Sequence, residues 1–411
     1  MILRRIRFPL KQSSKPRRIG IFMSRNFPRL ARTKLVSVNP MQEAEPLQQV
    51  RRTYVRSRGQ TLSYYGGCDY FRLGSHPKIL HTVKQGLQRF GLNVAASRMT
   101  SGNHQVYLDL EKSLAHFFKA EAALLTSTGY GTNLIAAQAL AGHCSHALID
   151  ERAHAALKDA ANMLNCPVLT FKHRDADDLA RSLQRGGKGL QPIVLTDGMF
   201  SRDGAVAPLR TYLKILPPDG LLLVDDAHGA GTLGENGRGS IELESVPRSR
   251  VIQCVTLSKA FGVYGGAILC SRQLREKFAA TRAFIGSTPV PLPLAFAVIN
   301  SVKLLRQDKA LRHRLSQNAA FVKNSLRKAG FEMPNHSGPI APLYFSKPRA
   351  VTQVNQALLA ARILPPLIHY PGAPTNGFFR FVISSEHSAA QLAKLVRTLA
   401  PFAALSNRQP A

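Results

Sequence analysis

The sequence predicts an α/β fold: a large domain on a mostly parallel sheet flanked by helices, followed by a smaller C-terminal α+β domain. Three observations carry that expectation. Short apolar runs at 122–126, 146–150, 167–171, 193–196, 221–225, 251–256 and 265–271 alternate with segments of helical spacing such as 152–164 and 176–183. Alternation of that kind produces parallel sheets covered by helices on both faces. After Pro291-Leu292-Pro293 the pattern changes to two long helical stretches reaching Ala329. Mixed strands (340–345, 379–384) and helices (351–361, 389–399) come next. Finally, 411 residues exceed one small module. The expected partition is a basic N-terminal segment at 1–60, a large α/β domain at 61–300 and a small domain at 301–411.

Each element has a local cause. Ser75-His76-Pro77 is a helix start, a cap followed by proline, with Ile79, Val83 and Leu87 recurring on one face. The longest apolar stretches, 221–224 and 267–270, carry no polar residue, as strands buried on both faces require. Before Thr61 no core-forming period is visible.

Composition removes whole classes. With 45% hydrophobic and 19% charged residues the chain is not disordered throughout. No apolar run approaches the roughly 18 residues of a membrane span. Five cysteines without a Cys-x-x-Cys pair exclude a disulfide framework and a standard zinc site. A soluble, cytoplasmic protein without a bound metal is expected. The net charge of +31 favours anionic partners, whether nucleic acid, a membrane surface or phosphate-bearing metabolites such as coenzyme A; basic overall usage is the plainer explanation. Residues 1–42 carry eleven Lys or Arg and no acid. That stretch is a solvated tail, an Arg-rich targeting segment, or a start assigned too far upstream. Only weak, nonspecific nucleic-acid binding is expected of it.

In doubly wound sheets ligands sit beyond the carboxyl ends of the strands, which directs attention to three places. The run 221–225 leads into Asp225-Asp226-Ala227-His228-Gly229. A carboxylate buried there needs a cationic or proton-donating partner. The run 251–256 leads into Leu257-Ser258-Lys259-Ala260, placing a candidate amine nucleophile at a strand end. Ser127-Thr128-Gly129-Tyr130-Gly131-Thr132-Asn133 joins a strand to a helix and offers backbone N–H groups to a phosphate. Singly, each has a plainer explanation: a solvated lysine, an acid pair capping a loop or holding a metal, a glycine turn. Together an acid, an amine and an anion cradle are what pyridoxal phosphate requires.

From Thr61 to Leu399 the chain resembles the α-oxoamine synthases, a family of fold-type-I pyridoxal phosphate enzymes. The resemblance rests on Ser97-Arg98-Met99-Thr100-Ser101-Gly102-Asn103, Ser127 through Asn133, Asp150-Glu151-Arg152-Ala153-His154, Thr196-Asp197-Gly198-Met199-Phe200-Ser201, Val224 through Gly231, Thr256 through Gly262, and Arg380 before Ser385-Glu386-His387. It implies a decarboxylating condensation of a small amino acid with an acyl-CoA, in a homodimer. By that resemblance Lys259 binds the cofactor as a Schiff base and then takes the α-proton, and Asp225 keeps the pyridine nitrogen protonated. His154 stacks on the ring, and His228 and Ser201 meet its phenolic oxygen. Gly129, Tyr130 and Thr256 bind the phosphate, Thr288 reaches the phosphate of the other subunit, and Arg380 clamps the substrate carboxylate. The motifs around Ser97 and Lys259 look most like the oxononanoate synthase branch, which joins alanine to a pimeloyl thioester. His369-Tyr370-Pro371 points to the glycine acetyltransferase branch, and a serine palmitoyltransferase-like enzyme is the further alternative. A non-catalytic protein on the same fold, gripping nucleic acid or membrane through its basic tail, is the reading from a different class. Two departures stand out: Asn93-Val94-Ala95-Ala96 replaces a glycine-rich stretch, and Tyr107 stands where the family commonly has histidine.

Overall fold

The structure is a computed structural model describing residues 46–185, 191–369 and 373–407; the basic tail, Tyr370 and Pro371 lie outside the described residues. Three strands open it: β1 (Gln49–Arg51), β2 (Tyr54–Ser57) and β3 (Gln60–Tyr64). Helices α1 (Pro77–Phe90) and α2 (Gln105–Phe118) follow. Then come β4 (Ala122–Thr126), α3 (Gly129–Leu140), β5 (Ala147–Asp150), α4 (Ala155–Met163) and β6 (Val168–Phe171). The central strands are β7 (Ile193–Asp197), β8 (Leu221–Asp225), β9 (Val251–Thr256) and β10 (Gly266–Cys270). Four more close the chain: β11 (Ile340–Leu343), β12 (Ile363–Leu364), β13 (Leu367–Ile368) and β14 (Phe378–Val382).

A seven-stranded sheet runs β4-β10-β9-β8-β7-β5-β6. The pairs from β9 across to β6 are all parallel, while β10 is antiparallel to both β9 and β4. Alternate side chains feed opposite faces, as the pleat demands. Leu195, Leu223 and Ile252 pack into one core with α3 and α4, and Val194, Leu222 and Val224 into another. From β5 the chain goes outward to β6, then returns to the other side for β7, β8 and β9. In such sheets ligands sit beyond the carboxyl ends of the parallel strands.

Two sequence expectations need correcting. Ordered structure begins before Thr61: β1 and β2 pair antiparallel with β3, and Thr53 and Val55 are buried. The strands are hidden by their arginines, and they hold through distant partners. β3 pairs in parallel with β12, and Gln391 Nε2 donates to Thr53 O at 3.4 Å. Secondly, α1 buries Ile79, Thr82 and Gly86, whereas Leu87 is exposed. The helix lies so close to Leu292–Gln307 that a Cβ on Gly86 would stand 2.8 Å from Pro293 Cα. Ile79 and Val83 pack into the core as expected, and close backbone approach at Gly86, rather than Leu87, completes that contact.

A three-stranded antiparallel sheet, β11-β14-β13, packs Phe379 and Phe381 with Val322, Leu326, Leu392 and Leu395. The same core contains Tyr65, and Val382 N donates to Tyr65 O at 2.8 Å. The segment after β3 is thereby tied to β14. No helix among the described residues is long and apolar enough to cross a membrane.

Candidate active site

A cleft of about 300 Å³ lies at the carboxyl ends of β7, β8 and β9. Its floor carries acids. Asp225, the last residue of β8, is buried; Asn133 Nδ2 donates to its Oδ2 at 2.7 Å and the Ala227 N–H to its Oδ1 at 3.1 Å. Both bonds hold the carboxylate in one orientation. Asp197 is its register partner on β7 and accepts the His154 N–H at 2.8 Å. Burial, reinforced by the neighbouring Asp225, holds Asp197 well above the usual carboxylate range.

Lys259 follows β9 in a loop turned back by Gly262 (φ 67°) and Gly265 (φ 105°), conformations that favour glycine. The loop is closed by Leu257 N donating to Gly265 O at 2.9 Å. Desolvation lowers the lysine pKa and Arg380 adds to that, while Cys68, Asp225 and Asp197 oppose it. A lowered pKa makes the amine a better nucleophile and base near neutrality.

Two histidines flank the amine. His154 caps the N-terminus of α4, its Nδ1 accepting from Ala156 N at 3.2 Å, and its ring meets Tyr130 edge-on at 6.3 Å. His228 is buried, with Nδ1 2.7 Å from Tyr70 Oη. Desolvation and then the charge of Lys259 drive its pKa well below the usual imidazole value, so the ring is neutral.

The anion cradle forms where β4 turns into α3. Thr128 caps the helix by accepting from Gly131 N at 3.0 Å. A Cβ on Gly129 would stand 2.7 Å from Thr256 Cβ, so only glycine lets this turn meet β9. Thr256 Oγ1 lies 2.8 Å from Ser258 Oγ, putting two hydroxyls at the mouth of the cradle. The Tyr130 hydroxyl donates to Asp159.

The structure brings Lys259, Asp225, His154, His228, Gly129, Tyr130 and Thr256 to one cleft. Arg380, Ser201 and Thr288 are outside its lining. Arg380 is buried on β14, with Nη1 3.2 Å from Ser201 O and Nη2 3.8 Å from Cys68 Sγ. Thr288 is exposed, and its carbonyl accepts from the Ser127 hydroxyl. Sequence reasoning gave no role to Asn133, Asp197 or Tyr70. Asn133 and Asp197 stood inside recognised motifs; Tyr70 had no signal beyond its place in Asp69-Tyr70 before a helix. The two departures lie elsewhere. Tyr107 is buried and donates to Val290 O at 2.7 Å, and Ala95 sits at φ 48°.

These residues fit pyridoxal phosphate: a fixed, buried acid faces the cleft, an amine of lowered pKa stands beside it, and a capped helix N-terminus and two hydroxyls offer an anion site. No metal-holding cluster is present among the described residues.

The sequence model of the aminotransferase class I and II family matches residues 69–399. The chain belongs to that family. Its relatives put it among the α-oxoamine synthases. An 8-amino-7-oxononanoate synthase from Thioalkalivibrio sulfidiphilus is 34% identical over 335 residues, spanning 80% of this chain and 86% of that one. Another, from Xylella fastidiosa, is 32% identical over 383 residues, spanning 89% and 94%. Among solved structures, the serine palmitoyltransferase from S. paucimobilis with a bound PLP-myriocin aldimine superposes with a TM-score of 0.82 at 26% identity. It covers 87% of this chain and 92% of that one.

Proposed function

We propose that this α-oxoamine synthase uses pyridoxal phosphate to condense a small amino acid with an acyl thioester, releasing carbon dioxide and leaving an α-amino ketone. The amino acid is L-alanine and the acyl group pimeloyl, the 8-amino-7-oxononanoate synthase reaction. The observation that carries the reading is the Lys259 amine set beside Asp225 and His228 in a cleft with an anion cradle. The 8-amino-7-oxononanoate synthases at 34% and 32% identity support that choice of reaction.

When bound, the cofactor supplies an electron sink for a carbanion at the amino acid's α-carbon. Lys259 would supply the amine that holds it and the base that takes the α-proton. Asp225, oriented by Asn133, would keep a proton on the pyridine nitrogen. His154 would stack on the ring, and His228 and Ser201 would serve the phenolic oxygen. The α3 N-terminus with Gly129, Tyr130 and Thr256 would hold the phosphate, and Thr288 would reach the phosphate in the partner subunit of a homodimer. Arg380 offers a guanidinium fork to the substrate carboxylate, orienting the α-carbon bonds across the ring. Coenzyme A is the leaving thiol, and the reaction runs in the cytoplasm.

The superposition on a serine palmitoyltransferase favours a second reading, serine with a longer acyl chain. One assay separates them: alanine, glycine or serine offered with acyl-CoAs of graded length, reading thiol release. Alanine with pimeloyl-CoA is expected to be fastest; a clear preference for serine with a long chain overturns the first reading. No thiol release with any pair, with pyridoxal phosphate bound, favours the non-catalytic alternative.

A further inference from the structure

Tyr70 lies outside every motif that marks the site, yet its hydroxyl is 2.7 Å from His228 Nδ1. Both side chains are buried, and the rings meet edge-on at 6.3 Å and 68°. The tyrosine has little freedom. It packs in the core with Phe71 and Leu73, its N–H donates to Cys68 O at 2.9 Å, and its carbonyl accepts from Ser385 N at 3.0 Å. His228 is fixed from its own side, because Thr232 Oγ1 donates to its carbonyl at 2.8 Å.

Two proton arrangements satisfy the contact. In one, the phenol donates to a bare Nδ1; in the other, Nδ1–H donates to the phenol oxygen. The second needs another acceptor for the phenol proton, and the neighbouring group is the Cys68 thiol, a weak acceptor. An imidazole nitrogen is a much better one. Burial, with Cys68 nearby, raises the phenol pKa well above its usual value, so the donor proton stays on Tyr70. The charged and titratable groups around His228 are Lys259, Arg380 and His154, and all oppose its protonation. A neutral ring with Nδ1 accepting must carry its proton on Nε2.

We propose that Tyr70 is a positioning residue that locks His228 as its Nε2–H tautomer, so that this imidazole presents a donor to an anionic oxygen in the cleft. That the oxygen is the phenolic one of pyridoxal phosphate rests on the function proposed above; the tautomer does not. Without Tyr70 the ring can place its proton on either nitrogen, and in the Nδ1–H form it turns a lone pair toward the anion.

The test uses the full chain labelled with ¹⁵N-histidine, with and without pyridoxal phosphate, near pH 7. Long-range proton–nitrogen spectra report which ring nitrogen is protonated, and His228→Asn identifies the signal. A single Nε2–H tautomer is expected before cofactor is added. Tyr70→Phe is expected to mix the tautomers and to weaken pyridoxal phosphate binding about tenfold, the worth of one charge-assisted hydrogen bond. An Nδ1–H tautomer in the unsubstituted protein overturns the proposal without recourse to any variant. So does a folded Tyr70→Phe protein that keeps both the Nε2–H tautomer and the original affinity. Failure of borohydride to fix the cofactor to Lys259 would sink the functional reading alone and leave the tautomer result standing.

Discussion

The wall that lines the cleft and a second one, outside that lining and joined to it by the contact of Tyr70 with His228, are built in different ways. One comes from consecutive strand ends: Asp197, Asp225 and Lys259 lie at or just beyond the ends of β7, β8 and β9, adjacent parallel strands of one sheet. The other joins chain from opposite ends of the sequence, where Cys68 and Tyr70 meet Arg380 and Ser385. On the first wall, spacing along the chain and position in space follow from each other. On the second they are unrelated until β14 docks against the segment after β3. Chemistry needing one fixed reactive group is expected on the first wall, and substrate orientation on the second.

The most damaging way to test that division is on the strand ends. Lys259→Ala is expected to lose about 10⁴-fold or more in turnover, because the proton-transferring amine is gone. Borohydride should then leave no covalent cofactor, while thermal melting stays cooperative. Reduced cofactor on another lysine would contradict the assignment of the whole wall. Asp225→Asn comes next. Its cradle is intact, so cofactor should still bind, but a neutral amide cannot hold the ring nitrogen protonated. A drop of about 10²- to 10³-fold in kcat is expected, and near-normal turnover would remove Asp225 from the mechanism.

Substitution on the second wall should act on binding. Arg380→Ala is expected to raise KM for the amino acid about 30-fold or more, leaving cofactor affinity nearly unchanged. Arg380→Lys should recover little, since a point charge does not replace a planar fork. If instead both variants lose cofactor and keep KM, the two walls do not divide the work as proposed.

A finer contrast lies between adjacent acids. Asp225 faces the cleft, whereas Asp226 turns into the protein, accepting from Ser240 N at 2.9 Å and Gln253 Nε2 at 2.7 Å. Burial raises the Asp226 pKa from 3.8 to about 7. The folded chain therefore holds a proton that the unfolded chain gives up at lower pH. The stability this contributes is complete below about pH 4 and is lost as pH rises through about 7. Asp226→Asn keeps a neutral group of the same shape, so its melting temperature relative to the unsubstituted protein should climb between pH 5 and pH 8. Parallel curves across that range would refute a buried, proton-holding Asp226.

The smallest effect concerns a departure from the family pattern. Ala95 at φ 48° occupies the left-handed region, where a Cβ costs energy that glycine avoids. Ala95→Gly is expected to stabilise the fold by about 0.5 to 1 kcal/mol by denaturant titration, with no change in kcat.

Local features were legible in the residues themselves. The apolar runs that became β7, β8 and β10 could be read because strands buried on both faces admit almost no polar residue. Lys259, Asp225 and the Gly129 turn were legible because a strand end fixes a side chain's position within a few residues. Only the tertiary structure decided the rest. The strands β1 and β2 exist through pairing with β3 and through Gln391, more than three hundred residues away, and their arginines mask any period. Tyr70 reaches His228, and Arg380 reaches Cys68, because β14 is hydrogen-bonded to the segment after β3. A hydrogen bond is decided by position to within a few tenths of an ångström, and no periodicity along one chain encodes that between segments brought together only by folding.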